Sequence, residues 1–117
     1  MKKIFSIIII CLLICGCSKK LYETIDTNRA LELINDGATI IDVRTIDEYN
    51  SGHITNAINI PLDMIDSIQI DKNNTLIVYC ASGVRSHDAV EKLAKMGYTS
   101  LYNLDGGLIN WGGSMEE

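Results

Sequence analysis

The stretch Leu76-Ile77-Val78-Tyr79-Cys80-Ala81-Ser82-Gly83-Val84-Arg85-Ser86 sets a cysteine, a glycine and an arginine in one short loop. An apolar run leads into it and an amphipathic pattern leads out, so it reads as strand, loop, then helix. Ligands of an α/β sheet bind at the carboxyl ends of strands. A loop that wraps onto a helix N-terminus turns several N–H groups inward, and with the helix dipole these form an anion cradle. A cysteine at the centre of such a cradle has its thiolate favoured, below the ordinary ~8.5. Arg85 adds a permanent charge and several donors, and Gly83 supplies the backbone freedom of a tight loop. The chemistry indicated is nucleophilic attack by a sulfur anion.

The other cysteines narrow the choice. Of Cys11, Cys15, Cys17 and Cys80, the first three lie in or beside an apolar run from Ile4 to Cys15 that follows Lys2 and Lys3. A basic start and an apolar stretch shorter than the ~20 residues of a spanning helix match an export signal. Ile14-Cys15-Gly16-Cys17 resembles the bacterial lipobox. That resemblance implies cleavage after Gly16 and a diacylglycerol on Cys17, which stable attachment by more than one acyl chain would complete. Residues 1–16 are then a signal peptide, 17–21 a lipidated start and short tether, and 22–115 the folded domain. The expected location is the outer face of the cytoplasmic membrane, or the outer membrane in a cell with two. Cys80 becomes the lone free thiol of the mature chain, and an unpaired cysteine in an exported protein is a functional candidate.

Composition excludes other classes. The chain has 117 residues, 21% charged and 47% hydrophobic, ordinary values for one globular domain. The net charge is −5. Removal of Lys2 and Lys3 takes Lys+Arg from 10 to 8 against 15 Asp+Glu, a formal charge of −7. Nucleic-acid partners need a basic stripe and are not expected. Anionic head groups repel such a surface, so the lipid would hold the domain at the membrane.

The elements that position the loop follow from periodicity. Tyr22–Ile25 reads as a strand, and Asp26 caps a helix over Thr27–Asn35 with Ala30, Leu31 and Ile34 on one face. Ala38–Val43 is a buried strand, and Thr45 with Glu48 forms a capping box for a short helix through Tyr49. Ala57–Ile60 is a strand stopped by Pro61, Leu62–Ile68 a short helix, and Thr75–Tyr79 a second buried strand. Arg85–Met96 is the clearest helix, with Ala89, Val90, Leu93 and Ala94 inside and Asp88/Lys92 and Glu91/Lys95 as outer pairs. Ser100–Leu104 is a last strand, and a turn at Asp105-Gly106-Gly107 precedes a helix over Leu108–Trp111. The alternation predicts one α/β domain with a largely parallel sheet and helices on both faces.

The chain resembles a single-domain rhodanese along Ile41-Asp42-Val43-Arg44, Glu48-Tyr49, Gly52-His53-Ile54, Ala57-Ile58-Asn59-Ile60-Pro61, Cys80 to Ser86, Gly97-Tyr98, and Leu104-Asp105-Gly106-Gly107 with Trp111. The ordered matches cover about residues 22 to 112. The resemblance implies a sulfurtransferase: Cys80 takes the outer sulfur of a small anionic donor such as thiosulfate and passes it to cyanide or a thiol. The N–H groups of Ala81 to Arg85 would hold that sulfur, making Ala81, Ser82, Gly83, Val84 and Ser86 the substrate-binding set beside catalytic Cys80 and Arg85. No metal or organic cofactor is implied, and neither histidine has a second ligand at zinc spacing. Ala81 stands where many single-domain members carry arginine, which predicts weak use of thiosulfate. Asp42 and Arg44 are expected to pair structurally, His53 to be hydrogen-bonded, His87 to face solvent, and Gly106, Gly107 and Trp111 to build a turn and core.

Three alternatives stay open. A phosphatase or arsenate reductase of similar fold carries C-x5-R, one residue longer than the C-x4-R here. A non-catalytic binding module commonly lacks the cysteine. A sulfur carrier for a membrane partner differs from the enzyme only in its acceptor.

Overall fold

Leu76, Ile77, Val78 and Tyr79 are all fully buried, as a strand covered on both faces must be. Their alternation divides the interior: Leu76 and Val78 join one hydrophobic cluster, Ile77 and Tyr79 the other. The computed structural model describes residues 20–117; Cys17, the lipobox and the apolar leader lie outside the described residues.

In chain order the elements are β1 (Glu23–Ile25), α1 (Thr27–Asn35), β2 (Thr39–Asp42), α2 (Ile46–Asn50), β3 (His53–Ile54) and β4 (Ile58–Asn59). A 3₁₀ helix (Leu62–Ser67), β5 (Leu76–Tyr79), α3 (Val84–Lys95), β6 (Leu101–Leu104), α4 (Gly107–Asn110) and β7 (Met115–Glu116) complete the chain. The main sheet is parallel throughout, in the order β1-β6-β5-β2-β4. α3 and the 3₁₀ helix cover one face through Ala89, Val90, Leu93 and Ile65. α1 covers the other through Ala30 and Leu33, with Leu108 and Trp111 packed beside them. The α/β architecture with helices on both faces is as the sequence predicts.

The order contains a reversal. From β2 the chain moves outward to β4, and from β5 it moves the opposite way to β6. The switch point therefore falls between β2 and β5, where carboxyl-end loops diverge and leave a crevice. Cys80 directly follows β5, and α2 directly follows β2.

Several local readings need correction. Leu31 is 44% exposed, and Leu33 takes its place in the buried stripe of α1. A helix turns 100° per residue, so Ala30 and Leu33 share a face that Leu31 leaves. The short helix expected after Pro61 is present, in 3₁₀ form, with only Ile65 fully buried along it. The Asp88–Lys92 and Glu91–Lys95 pairs are not among the ion pairs of the described residues; Glu91 lies 3.9 Å from His87 instead. β3 and β7 form a separate antiparallel pair that the sequence did not announce.

Candidate active site

Cys80 is 1% exposed, at the base of the loop between β5 and α3. Gly83 sits at φ +105, a left-handed conformation open to glycine at no steric cost, and from there the chain enters α3. That turn aims two backbone donors at the sulfur: Gly83 N–H at 3.0 Å and Ser86 N–H at 3.4 Å from Sγ. The Ser86 hydroxyl lies 3.5 Å from Sγ; it accepts from the thiol and is placed to donate to the thiolate. Burial pushes the Cys80 thiol up, yet the Ser86 hydroxyl and the N–H groups of Ser86, Gly83 and Ser82 outweigh it. The net direction is downward, toward the thiolate. Of the cradle expected from Ala81 to Arg85, the sulfur itself meets Ser82, Gly83 and Ser86; the hydrogen bonds to Sγ do not include the amides of Ala81, Val84 or Arg85.

Arg85 does not stand as a free charge. Its Nη1 and Nη2 donate to Glu48 Oε1 and Oε2 at 2.8 and 3.0 Å, a two-pronged bond across the switch-point crevice. Glu48 is held in turn by its capping box: its N–H donates to Thr45 Oγ1, and its Oε1 accepts from Thr45 N–H at 3.0 Å. The Arg85 bonds first, then Thr45, hold the Glu48 carboxyl down to about 2. The Arg85 charge is therefore matched by Glu48, a departure from the basic mouth that Arg85 alone suggests.

A buried polar network fixes α2 from below. Arg44 Nη2 donates to Asp42 Oδ2 and to the Gly52 carbonyl, both at 2.7 Å. Tyr79 donates to Asp42 Oδ2 at 2.6 Å and accepts from Ile54 N–H at 3.0 Å. Burial and then the Asp42 bond push the Tyr79 phenol up, so it stays a neutral donor. Asp42 and Arg44 pair as expected from the sequence, and they join the ends of β2, α2 and β3 into one unit.

The loop is also propped from the far side. Leu108 N–H donates to the Cys80 carbonyl at 3.0 Å and Ile109 N–H to the Ala81 carbonyl at 3.2 Å. These amides come from the first turn of α4, where no intrahelical acceptor exists for them. A Cβ on Gly107 would collide with the carbonyls of Cys80 and Ala81, and Gly107 has φ +58. The Gly106-Gly107 turn is thus part of the site's support, a role the sequence reading missed; two glycines after a strand carry no sign of which backbone they touch.

Other singled-out residues fall elsewhere. His53 is buried in β3, bonded through Nδ1 to the Tyr49 carbonyl and through Nε2 to Glu116. It stacks on Tyr49 with ring centroids 3.7 Å apart. His87 is exposed on α3, and its Nε2 meets the Tyr22 hydroxyl at 2.7 Å. Among the described residues no three His, Cys, Asp or Glu side chains gather as metal ligands would.

A buried cysteine in an amide-lined loop, at the switch point of a doubly covered parallel sheet, defines an α/β domain with a cysteine-centred loop. The rhodanese-like domain family matches residues 26–114, and the chain belongs to that family. A curated relative, the rhodanese-like domain-containing protein 17 of Arabidopsis thaliana, is 35% identical over 105 residues, covering 75% of this chain and 67% of its own. A rhodanese-related protein from Thermoplasma volcanium superposes with a TM-score of 0.73 at 31% identity, over 81% of this chain and 98% of that one. A rhodanese with anions from E. coli superposes with a TM-score of 0.63 at 38% identity, over 69% of this chain and 99% of that one.

Proposed function

We propose that the protein is a sulfurtransferase that carries a sulfane sulfur as a persulfide on Cys80. The observation behind this reading is the set of donors converging on Cys80 Sγ, with Gly83 N–H at 3.0 Å. Such donors stabilise a sulfur anion before and after transfer, the preorganised electrostatics of an oxyanion hole applied to sulfur. In the first half-reaction the Cys80 thiolate attacks the outer sulfur of thiosulfate. The new S–S bond forms as the old one breaks, sulfite leaves with its electron pair, and Cys80–S–S⁻ remains. In the second, cyanide attacks the outer sulfur, thiocyanate leaves, and the Cys80 thiolate returns. A thiol acceptor follows the same course and leaves as its own persulfide.

The loop count supports sulfur over phosphate, since C-x4-R encloses less space than the C-x5-R of phosphatases. Retention of the cysteine with its converging amides favours catalysis over a docking module. Among the described residues, Ala81 and the Glu48-paired Arg85 give the mouth no free cation, which supports weak use of dianionic thiosulfate. Lipidation at Cys17 and anchoring outside the cytoplasm form part of the same proposal, supported by the Lys2-Lys3 start and the Ile14–Cys17 motif. The direct test is thiocyanate formation from thiosulfate and cyanide. Wild type is expected to turn over and Cys80→Ser to be inactive; comparable rates in both would refute the assignment.

A further inference from the structure

Beside the loop lies an open depression of about 410 Å³, lined by Ser82 and Gly83 from the loop and by Asp105 and Gly106 from the turn after β6. Asn103 lines it from the carboxyl end of β6, in register with Val78 of β5, two residues before Cys80. Asn103 is only 5% exposed, and its Oδ1 has no hydrogen-bond partner among the described residues. Buried carboxamides are nearly always satisfied, and one left open beside a cavity marks a place for an absent partner. Rotation of the amide exchanges Oδ1 and Nδ2 without changing its shape, so the oxygen can be turned to an occupant.

The surrounding charges decide the occupant's sign. Asp88 and Asp105 both line the depression, and neither belongs to an ion pair among the described residues. His87, the remaining titratable group on this wall, has its Nε2 taken by the Tyr22 hydroxyl. Two carboxylates and an unpartnered carboxamide oxygen, once turned to the depression, call for a cation that donates hydrogen bonds, an ammonium above all. Gly83 belongs both to this wall and to the donors on Cys80 Sγ, so the depression adjoins the reacting sulfur.

We propose that this depression is the acceptor subsite and that it selects small thiols bearing an ammonium group. The inference rests on the sulfur-transfer reading of Cys80. The acceptor's ammonium binds Asn103 and the two aspartates while its thiolate attacks the outer sulfur of Cys80–S–S⁻. The acceptor leaves as an aminothiol persulfide, and the Cys80 thiolate is regenerated.

The test separates binding from chemistry. Full-length Cys80→Ser protein in detergent, unable to exchange sulfur, is titrated with cysteamine, 2-mercaptoethanol and mercaptoacetate while amide resonances are followed. Saturable shifts at the Asn103 carboxamide, Gly83 and Gly106 are expected with cysteamine alone. Those at Gly83 and Gly106 should vanish when Asn103→Leu is added, and all should weaken with Asp105→Asn, an exposed position that spares the fold. In the enzyme with Cys80 intact, Asp105→Asn and Asn103→Leu should raise the KM for cysteamine by about tenfold, the loss of one charge-assisted hydrogen bond, and leave transfer to cyanide unchanged. Equal shifts with all three thiols, or a KM unmoved by Asp105→Asn, would overturn the subsite. Saturable cysteamine binding in a protein that transfers nothing to cyanide would keep the ammonium site and refute the sulfur-transfer reading.

Discussion

The Cys80 thiol is caught between opposing effects, burial that favours the neutral form and donors that favour the anion. The donors win, so alkylation by iodoacetamide should reach half its maximal rate at a lower pH than it does for an ordinary exposed thiol. Ser86→Ala removes the largest of the favourable contacts and should move that midpoint upward; an unchanged midpoint would mean that the backbone amides suffice. Glu48 titrates in the opposite sense. Its folded value of about 2 lies below its ordinary 4.5, so the stability it adds is complete above pH 4.5 and lost as pH falls through about 2. Melting curves of wild type and Glu48→Gln should therefore keep a constant separation from pH 7 to 4.5 and converge toward pH 2. Both partners of the Glu48–Arg85 pair have side chains 36% exposed, and a screened pair is worth about 1 kcal/mol or less. Arg85→Ala should accordingly keep transfer to cyanide within about tenfold of wild type, and a much larger loss would place the guanidinium on the substrate. At this scale Cys80, Gly83 and Ser86 were legible, because strand, loop and helix onset are consecutive. Glu48 as Arg85's partner was not, since 37 residues separate them and only the sheet order brings them together.

Support for the loop comes from whole elements. α4 is a single turn, too short to persist alone, yet its first amides hold the Cys80 and Ala81 carbonyls. Gly107 permits that approach. Gly107→Ala meets a left-handed φ costing ~1–2 kcal/mol and a backbone collision besides. It should lower Tm and also raise the Cys80 alkylation midpoint, whereas Gly37→Ala, with φ +102 but open space around it, should lower Tm alone. If the two variants behave alike, α4 does not shape the cradle. The strands and long helices of the main sheet were readable from period and capping, as with Asp26 before α1 and the Thr45–Glu48 box before α2. β3 and β7 were not, because two-residue strands carry no period; Glu116, accepting from Asn56 N–H and meeting His53, fixes them through tertiary contacts.

On the scale of the molecule, one sheet joins three jobs: β5 delivers the thiol, β2 delivers the helix that carries Glu48, and β6 delivers Asn103 and the turn before α4. The described residues begin at Lys20, before the amino end of β1, so a lipid on Cys17 would keep the domain close to the bilayer by the sheet end opposite the one that carries Cys80. Cys17→Ala should block fatty-acid labelling and leave an uncleaved precursor; label entering that variant, or wild type found only in the cytosol, would refute the anchor. If the proposed anchor holds it outside the cytosol, a thiolate-favoured Cys80 would lack a glutathione-rich reductant and be open to oxidation. With Cys80 as the single free cysteine of the described residues, no neighbouring thiol there can resolve its persulfide into an internal disulfide. The persulfide should therefore persist long enough to be weighed. Intact mass of the protein after exposure to thiosulfate and removal of excess donor tests the central claim most directly. The account predicts one added sulfur on wild type, released by cyanide and never formed on Cys80→Ser; an unchanged mass, or a sulfur acquired equally by the variant, would contradict it.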